Sequence, residues 1–272
     1  MIPAPFTYRR AASVDHAIEL AAGAGEDAKF LAGGHSLMPL MKLRLAVPDT
    51  LVDIGRIGEL SHISEHDGQV AIGAMTTHDE IARSGVLAAS VPLLAQVAGR
   101  IGDPQVRHCG TIGGSLAHAD PAADLPAVML ALDATLVARG PAGTREIGAA
   151  DFFLGLFETV LAPAELLTEI RIPKPASAAW SFQKFSKRGI DWAIVGVAVQ
   201  GGNVGLVNMG STPLRASATE QALASGASPE AAAAHAAEGT SPADDLNAPR
   251  AYREHLARVL VRRALDEAGT RA

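Results

Sequence analysis

The sequence predicts an α+β fold, chiefly because of the order of its apolar runs. Helix-like and strand-like runs alternate at the start, hairpin signals follow from residue 58, and three strand-like runs precede Ala-rich helical segments near the end. With 272 residues, the chain is long enough for one or two domains and for a core without covalent cross-links. Changes of pattern near residue 55 and at Pro173 and Pro175 predict three units, residues 1–55, 56–177 and 178–272.

The first unit is predicted to alternate helix and strand after an opening Pro-rich strand. Ser13 precedes an apolar face at helical spacing, which is typical of an N-cap, and Gly23 is expected to end that helix. Ser36 is expected to cap a second helix, where Pro39 is tolerated because it lies in the first turn. The predicted elements are a helix over 13–23, a strand over 29–32, a helix over 36–43 and a strand over 50–54.

The middle unit mixes hairpin and helix signals. Thr77 and Glu80 have the spacing of a capping box, which predicts the start of a helix. A Gly-rich turn is expected over 110–115. The predicted elements are a hairpin with strands over 60–64 and 69–72, helices over 92–98 and 125–132, and a strand over 167–172.

The last unit places strands before helices, which again favours α+β. Gly-containing turns separate the strand-like runs, and the segment 225–247 is rich in Ala, Ser, Gly, Pro and acidic residues, which predicts short surface helices and loops. The predicted elements are strands over 180–186, 192–200 and 204–210 and a final amphipathic helix over 249–267.

Composition excludes several classes of protein. Lys and Arg number 23 against 29 Asp and Glu, a net charge of −6 without a basic run that could neutralise a row of phosphates, so we expect no nucleic-acid partner. The single cysteine, Cys109, excludes a disulfide framework and any iron–sulfur cluster bound by this chain alone. No run approaches the roughly 20 apolar residues of a membrane span. The first residues lack a basic stretch before an apolar one, which predicts a cytoplasmic protein.

A short glycine signature occurs twice. Ala32-Gly33-Gly34-His35-Ser36 and Thr111-Ile112-Gly113-Gly114-Ser115 each place two glycines and then a hydroxyl at a predicted tight turn. Paired glycines let successive backbone N–H groups converge without a Cβ in the way, and the hydroxyl adds a donor, which suits a phosphate. Two such loops could hold the two phosphates of one dinucleotide. The alternative for either loop alone is an ordinary glycine turn.

The segment Gly23-Ala24-Gly25-Glu26-Asp27-Ala28 fits the dinucleotide-binding fingerprint with Ala in the last place. That fingerprint needs a strand before it and a helix after it. Here a helix precedes and a strand follows, so the segment is interpreted as a helix end and loop.

A serine hydrolase that uses Ser36 is a second alternative. Gly34-His35-Ser36 resembles the start of the G-x-S-x-G nucleophile elbow, but Met38 stands where the second glycine belongs. A β-carbon there would crowd the sharp turn, so the motif does not support a hydrolase.

Two longer motifs resemble a known family. Residues 32–37 continue into Pro39-Leu40-Met41-Lys42-Leu43-Arg44, and residues 111–117 continue into Asp120-Pro121-Ala122-Ala123-Asp124-Leu125-Pro126. Together they resemble the FAD-binding medium subunit of molybdenum hydroxylases, the carbon monoxide dehydrogenase and xanthine dehydrogenase type. The resemblance covers essentially the whole chain, including Tyr252-Arg253 near the end.

The resemblance implies a two-subdomain FAD-binding fold of the PCMH type, followed by a three-stranded antiparallel sheet with a helical bundle. FAD would lie noncovalently between the first two units, with the two glycine loops at its pyrophosphate. The residues that the resemblance places at FAD are Ala32, Gly33, Gly34, His35, Ser36, Leu37, Ile101, Thr111, Ile112, Gly113, Gly114, Ser115, Asp124, Leu167 and Lys184.

Several of these residues have specific expected roles. Asp124 resembles the aspartate that hydrogen-bonds the flavin ring, although its position before Leu125-Pro126 also fits a helix N-cap. Leu167 would form an apolar wall against the ring. Lys184 matches a lysine that reaches the flavin, with an exposed strand lysine as the alternative. Ser36, Thr111 and Ser115 would be hydroxyl donors, Ser115 with a shorter reach than the Asn of many relatives, and His35 would contribute its backbone.

Other residues near these motifs have no definite expected role. Arg188, Asp191 and Trp192 follow Lys184 on the same loop and could border the flavin. His108 and Cys109 are too few ligands for zinc, and a packed thiol is expected instead of a nucleophile.

The implied activity is electron transfer. The subunit would take electrons from the [2Fe-2S] clusters of a small partner subunit and pass them to an external acceptor, while a large molybdopterin subunit oxidises the substrate. A dimer of heterotrimers is expected, in the cytoplasm or peripherally at the inner face of the membrane if the acceptor is a quinone. Carbon monoxide, a purine, an N-heterocycle, an aldehyde or an aromatic acyl-CoA are possible substrates of the complex. The alternative is a flavin-free docking subunit, because a fold does not prove a working site.

Overall fold

The computed structural model describes residues 2–271, and its first unit is a small parallel sheet with helices between the strands. Strand β3 lies between β1 and β2 and pairs with both in parallel. Ser13 caps α1, as predicted, since its hydroxyl accepts the backbone N–H of His16 at 3.2 Å. Gly23 does not end α1, which runs one residue further to a Gly25 with φ of +89°. The elements are β1 (Thr7–Arg10), α1 (Val14–Ala24), β2 (Ala28–Leu31), α2 (Leu37–Lys42) and β3 (Thr50–Asp53).

The middle unit is a five-stranded antiparallel sheet in the order β4-β5-β10-β6-β7, covered by helices. Thr77 and Glu80 form the predicted capping box at the start of α3. The first hairpin strand starts at Ile63, not Leu60, because residues 58–60 form a 3₁₀ turn. Its strands are β4 (Ile63–His66), β5 (Gln69–Gly73), β6 (Thr135–Gly140), β7 (Gly143–Gly148) and β10 (Leu166–Pro173), with a separate pair β8 (Phe153–Gly155) and β9 (Glu158–Thr159).

The helices of the middle unit are short, and they pack on the sheet and on one another. The predicted helix over 92–98 is present as α5, whose first residue is Pro92. The glycines of the second loop lie in the first turn of α7, not in the tight turn that was predicted. The helices are α3 (His78–Arg83), α4 (Gly85–Ser90), α5 (Pro92–Ala98), α6 (Pro104–Cys109), α7 (Ile112–His118), α8 (Asp124–Ala131) and α9 (Ala149–Phe152).

The last unit is an antiparallel sheet of four strands in sequence order, backed by helices. Its three long strands match the expected three-stranded sheet, and the two-residue β14 adds a fourth. Strand β12 begins at Val195, so the predicted start at Trp192 falls in the preceding loop. The elements are β11 (Trp180–Phe185), β12 (Val195–Gln200), β13 (Asn203–Val207), β14 (Leu214–Arg215), α10 (Ser217–Ala224), α11 (Pro229–Ala233) and α12 (Arg250–Gly269).

Helix α8 joins the middle and last units. All eight of its residues are buried, and it packs against α5 on one side and β13 on the other. A helix that is apolar all round belongs in a core. The backbone of β13 approaches very closely at Gly205, where a Cβ would lie 2.1 Å from the carbonyl oxygen of Ala127. The start of α8, at Asp124, is thereby held beside the sheet of the last unit.

Candidate functional site

A cleft of about 780 Å³ lies between the three units. Its volume falls in the range of roughly 300–1,000 Å³ that is typical of small-molecule and cofactor sites. The first unit contributes the loop 32–37, the middle unit the loop 110–115 and the segment 157–167, and the last unit Lys184 and residues 190–192. Every predicted site residue lines this cleft except Ile112, which is fully buried in the core.

The first glycine loop presents a row of free backbone donors. It follows β2, and Gly34 has a φ of +74°, which glycine adopts without strain. Among residues 2–271 the N–H groups of Gly33, Gly34, His35 and Ser36 have no acceptor. Successive N–H groups in such a turn form an anion-binding concavity.

Ser36 differs from its predicted role at the start of α2. Its backbone has φ of −96° and ψ of −50°, already helical, and its side chain makes no capping hydrogen bond. The hydroxyl therefore remains free at the cleft. It also has no histidine or carboxylate partner among residues 2–271, so the arrangement of a serine hydrolase is not present.

The second glycine loop has a different structure, because its N–H groups already have acceptors. Gly113 donates to the carbonyl of Ala74 at 2.8 Å, Gly114 to Oγ1 of Thr111 at 3.1 Å, and Ser115 to the carbonyl of Thr111 at 3.0 Å. Thr111 is thus the N-cap of α7. This loop can offer close approach and the Ser115 hydroxyl, whereas free amides come from the first loop alone.

The two loops touch through their glycines. A Cβ on Gly33 would lie 2.0 Å from the carbonyl oxygen of Cys109, and one on Gly113 would lie 2.5 Å from Cβ of Ala74. Gly114 faces Ala32, with 3.7 Å between its Cβ position and that of Ala32. Glycine at 33 and 113 is therefore required for packing. A Cβ on Gly114 would keep an ordinary contact with Ala32 of the first loop but would lie 2.9 Å from Oγ1 of Thr111.

A buried ion pair lines the cleft where the middle and last units meet. Nζ of Lys184, on β11, donates to Oδ2 of Asp124 at 2.7 Å, and the two side chains are only 6% and 4% exposed. Asp124 is the first residue of α8, and Ala123 is the N-cap. Neither a helix-capping aspartate nor an exposed strand lysine describes this pair.

The Asp124 carboxylate keeps one acceptor without a partner. Among residues 2–271 its Oδ1 is buried and accepts no hydrogen bond. Burial raises the pKa of Asp124, and Lys184 opposes that rise. A buried acceptor without a partner costs free energy, so a donor on a bound group would stabilise this end of the cleft.

His78 is a cleft residue that sequence reasoning missed. The capping box predicts only the helix that it begins, yet His78 is 4% exposed and packs under Gly110 of the second loop. Burial, with His35 and Arg107 nearby, lowers the pKa of His78 to about 4. The imidazole is therefore neutral at pH 7.

This buried imidazole predicts acid sensitivity. The unfolded chain takes up a proton at His78 below its ordinary pKa of 6.5, whereas the folded chain does so only near 4, so folding stability falls as pH falls through this window. His78→Gln should flatten this slope in thermal unfolding measured across it. His66→Gln, at the exposed end of β4, is the control. An unchanged slope in His78→Gln would contradict the assignment.

The remaining cleft residues come from loops. Asp191 and Trp192 line the cleft, while Arg188 lies outside it and pairs with Asp191 at 3.2 Å. Phe157 stacks on His118 with ring centroids 5.0 Å apart. No local sequence signal marked Phe157 or the segment that follows it.

Among residues 2–271 no group of three or more His, Cys, Asp or Glu side chains could hold a metal ion. Cys109 is exposed, not packed as expected. None of the helices in this described range is both long and apolar enough to cross a membrane.

Two family models match this chain. One, described as the FAD binding domain in molybdopterin dehydrogenase, matches residues 4–175, and the other, the carbon monoxide dehydrogenase flavoprotein C-terminal domain, matches residues 180–268. The chain belongs to the FAD subunits of the molybdenum hydroxylase family. Both domains of the family are thus present in the expected order.

Full-length relatives agree with this membership. The chain is 41% identical over 286 residues to the carbon monoxide dehydrogenase medium chain of Afipia carboxidovorans, covering 100% of this chain and 99% of that one. It is 39% identical over 287 residues to the 6-hydroxypseudooxynicotine dehydrogenase complex subunit alpha of Paenarthrobacter nicotinovorans, covering 100% and 97%.

The fold is also that of a solved family member. A carbon monoxide dehydrogenase chain from Hydrogenophaga pseudoflava, in a form lacking the Mo-pyranopterin moiety of the molybdenum cofactor, superposes with a TM-score of 0.96 at 43% identity and 100% coverage of both chains. The predicted family, fold class, FAD cofactor and role as an oxidoreductase subunit are confirmed.

The cleft of this FAD subunit fits its cofactor. A pyrophosphate needs converging donors, which the first loop has in its four free N–H groups. A flavin ring needs an apolar wall and a few polar groups, which Leu167 and the Asp124–Lys184 pair supply. When bound, FAD supplies a ring that accepts and releases electrons singly or in pairs.

Proposed function

We propose that this chain holds FAD noncovalently in the cleft and relays electrons from the [2Fe-2S] clusters of a small partner subunit to an external acceptor. The observation that carries the proposal is the row of free N–H groups at residues 33–36. These donors come from the first unit and line a cofactor-sized cleft to which the middle and last units contribute a buried ion pair. A row of amides together with a buried ion pair fits a molecule with an anionic middle and a heteroaromatic end.

Each end of the cleft has a task in this proposal. The first loop binds the pyrophosphate through its amides and the Ser36 hydroxyl, and Ser115 adds a donor from the facing loop. Oδ1 of Asp124 accepts a donor of the flavin ring, which supports placing the ring at that end. Lys184 holds a positive charge close to the ring, where it stabilises the negative charge that reduction adds. Leu167 and Ile101 exclude water.

The remaining components of the complex are proposed by membership of the family. A small subunit would bring the [2Fe-2S] clusters and a large subunit the molybdopterin, assembled as a dimer of heterotrimers in the cytoplasm or at the inner face of the membrane. The three units of the chain would be residues 1–55, 56–177 and 178–272. Relatives named for carbon monoxide and for 6-hydroxypseudooxynicotine are nearly equally similar, which supports assigning the choice of substrate to the large subunit.

Gly114→Val tests the proposed pyrophosphate site. A branched side chain at Gly114 would extend toward Ala32 and push phosphate away from the first loop. We expect protein co-purified with its partners to lose most of its acid-releasable FAD. Its thermal unfolding temperature should also fall, because the new Cβ would lie 2.9 Å from Oγ1 of Thr111, the N-cap of α7, so FAD content is compared well below that transition.

The control is Gly58→Val, where no atom lies within 4 Å of the Cβ position. Stoichiometric FAD in Gly114→Val would refute the pyrophosphate assignment. A colourless wild-type assembly that takes up no added FAD would replace the proposal with a flavin-free docking subunit. With FAD present, the substrate is sought by offering each candidate anaerobically and following bleaching of the flavin band.

A further inference from the structure

The loop between β11 and β12 forms a thin wall of the proposed flavin cleft. On its other side lies a second cavity of about 730 Å³, and Asp191 and Trp192 line both spaces. Trp192 is 59% exposed. Residues 187–190 of this loop are exposed, whereas Ala193 and Ile194 at its end are buried, and the N–H of Ile194 donates to the carbonyl of Phe185 at 2.8 Å. The positions of Asp191 and Trp192 therefore depend on how this buried end is held.

Two side chains donate hydrogen bonds to successive carbonyl groups at the end of this loop. Nδ2 of Asn208 donates to the carbonyl of Ala193 at 2.8 Å, and Nη1 of Arg253 donates to the carbonyl of Ile194 at 2.6 Å. Asn208 is also tied to the segment before α8, because its N–H donates to the carbonyl of Pro121 at 2.8 Å. The end of the loop is thus hydrogen-bonded to α12 directly and, through Asn208, to the segment that precedes α8.

Arg253 stands out among these groups because of its burial. Its side chain is only 1% exposed, although it carries a charge. Its Nη2 donates to both carboxylate oxygens of Asp245, each at 2.8 Å. A buried guanidinium is costly unless paired, and its planar fork fixes the direction of every donor. The Asp245 carboxylate therefore orients the fork, and the fork fixes the Ile194 carbonyl.

We propose that Arg253 is a positioning residue that sets where Asp191 and Trp192 stand in the cleft. It acts through its hydrogen bond to the Ile194 carbonyl. The Asp245 carboxylate orients the guanidinium, and the guanidinium in turn fixes this carbonyl at the end of the loop. Its effect on the flavin rests on the proposed function. Its effect on the loop does not, so the two can be measured separately.

Hydrogen exchange measured by mass spectrometry on the full-length chain tests the effect on the loop. In Arg253→Met we expect the amides of Asp191 and Ile194, the two within the segment 187–194 that donate a hydrogen bond, to exchange about 10–100-fold faster, the factor for losing a hydrogen bond from a charged donor. The amides of β13 should exchange as in the wild type. Arg262→Met, on the exposed face of the same helix, is the matched control and should leave the segment unchanged.

Arg253→Lys is a second test of the proposal, which applies even when Arg253→Met does not fold. An ammonium keeps the charge but cannot hold two carboxylate oxygens and the carbonyl with one planar fork, so exchange of the segment should lie between the wild type and Arg253→Met. Unchanged exchange of the segment in a folded Arg253→Met or Arg253→Lys would overturn the proposal, since a merely structural arginine would lower the unfolding temperature alone.

The flavin is examined in the co-purified assembly. We expect Arg253→Met to retain FAD but to shift the flavin absorption spectrum and midpoint potential. Faster exchange with an unshifted flavin would overturn the link between the loop and the flavin. If the wild-type assembly held no FAD, the proposed function would fail while the exchange result still decided the positioning role.

Discussion

Lys184→Met should be among the most destabilising single changes in this chain. Removing one partner of a buried pair leaves the other charge uncompensated, which costs about 3–5 kcal/mol. The Asp124 carboxyl would then avoid part of this cost by staying protonated, because burial already raises its pKa and Lys184 no longer opposes the rise. Flavin bound beside it would also lose the adjacent cation.

The pH dependence of that variant has a definite sign. A folded-state pKa raised above 3.8 means that the folded chain holds a proton which the unfolded chain has released, so stability falls as pH rises. Thermal unfolding of Lys184→Met should therefore become steadily easier, relative to wild type, as pH rises above the ordinary carboxyl pKa of 3.8.

Two controls make this result specific. Lys184→Met combined with Asp124→Asn should lose the added pH dependence and regain much of the stability, because no buried carboxyl remains. Lys174→Met removes the exposed partner of Glu65 and should change stability much less. Equal losses in Lys174→Met and Lys184→Met would show that burial of the Asp124–Lys184 pair does not matter.

Gly33→Ala should disrupt the cleft on the side of the first unit. The new Cβ would lie 2.0 Å from the carbonyl oxygen of Cys109, a backbone atom that cannot rotate away. The loops must separate, which costs about 1–3 kcal/mol or more. The displaced amides should weaken FAD binding by at least about tenfold, the equivalent of one charge-assisted hydrogen bond.

Gly23→Ala is the matched substitution. Gly23 lies inside α1 with no atom within 4 Å of its Cβ position, so alanine should stabilise the helix by roughly 0.5–1 kcal/mol. FAD content and thermal unfolding of the co-purified protein check both variants. Full FAD content in Gly33→Ala would show that the first loop does not set the site.

Local chemistry made much of the fold predictable from sequence. Ser13, Thr77 and Glu80 mark helix starts because their side chains bond to amides only two or three residues away. The same kind of local signal gave a wrong prediction at Ser36. A serine before an apolar run predicts an N-cap, yet the backbone of Ser36 is already helical and its side chain caps nothing. The spacing of a serine before an apolar run does not say whether the serine side chain or a ligand accepts the free backbone N–H groups.

The site depended on contacts that no local pattern encodes. Asp124 and Lys184 are 60 residues apart in sequence and meet only because α8 is buried between α5 and the sheet of the last unit. The family resemblance placed both residues at the flavin, whereas spacing suggested a cap and an exposed lysine. Likewise, the two glycine loops look alike in sequence, but only the packing of Gly113 on Ala74 shows that the second loop has no free amides.

The division of the cleft among three sheets also bears on biosynthesis. The first loop leaves the ribosome about 150 residues before Lys184, a gap of roughly 10–30 s at ordinary elongation rates. Throughout that interval the nascent chain carries the first loop without the strand that closes the other end of the cleft. If FAD binds as proposed, its site on a growing chain is complete only after translation has passed β11.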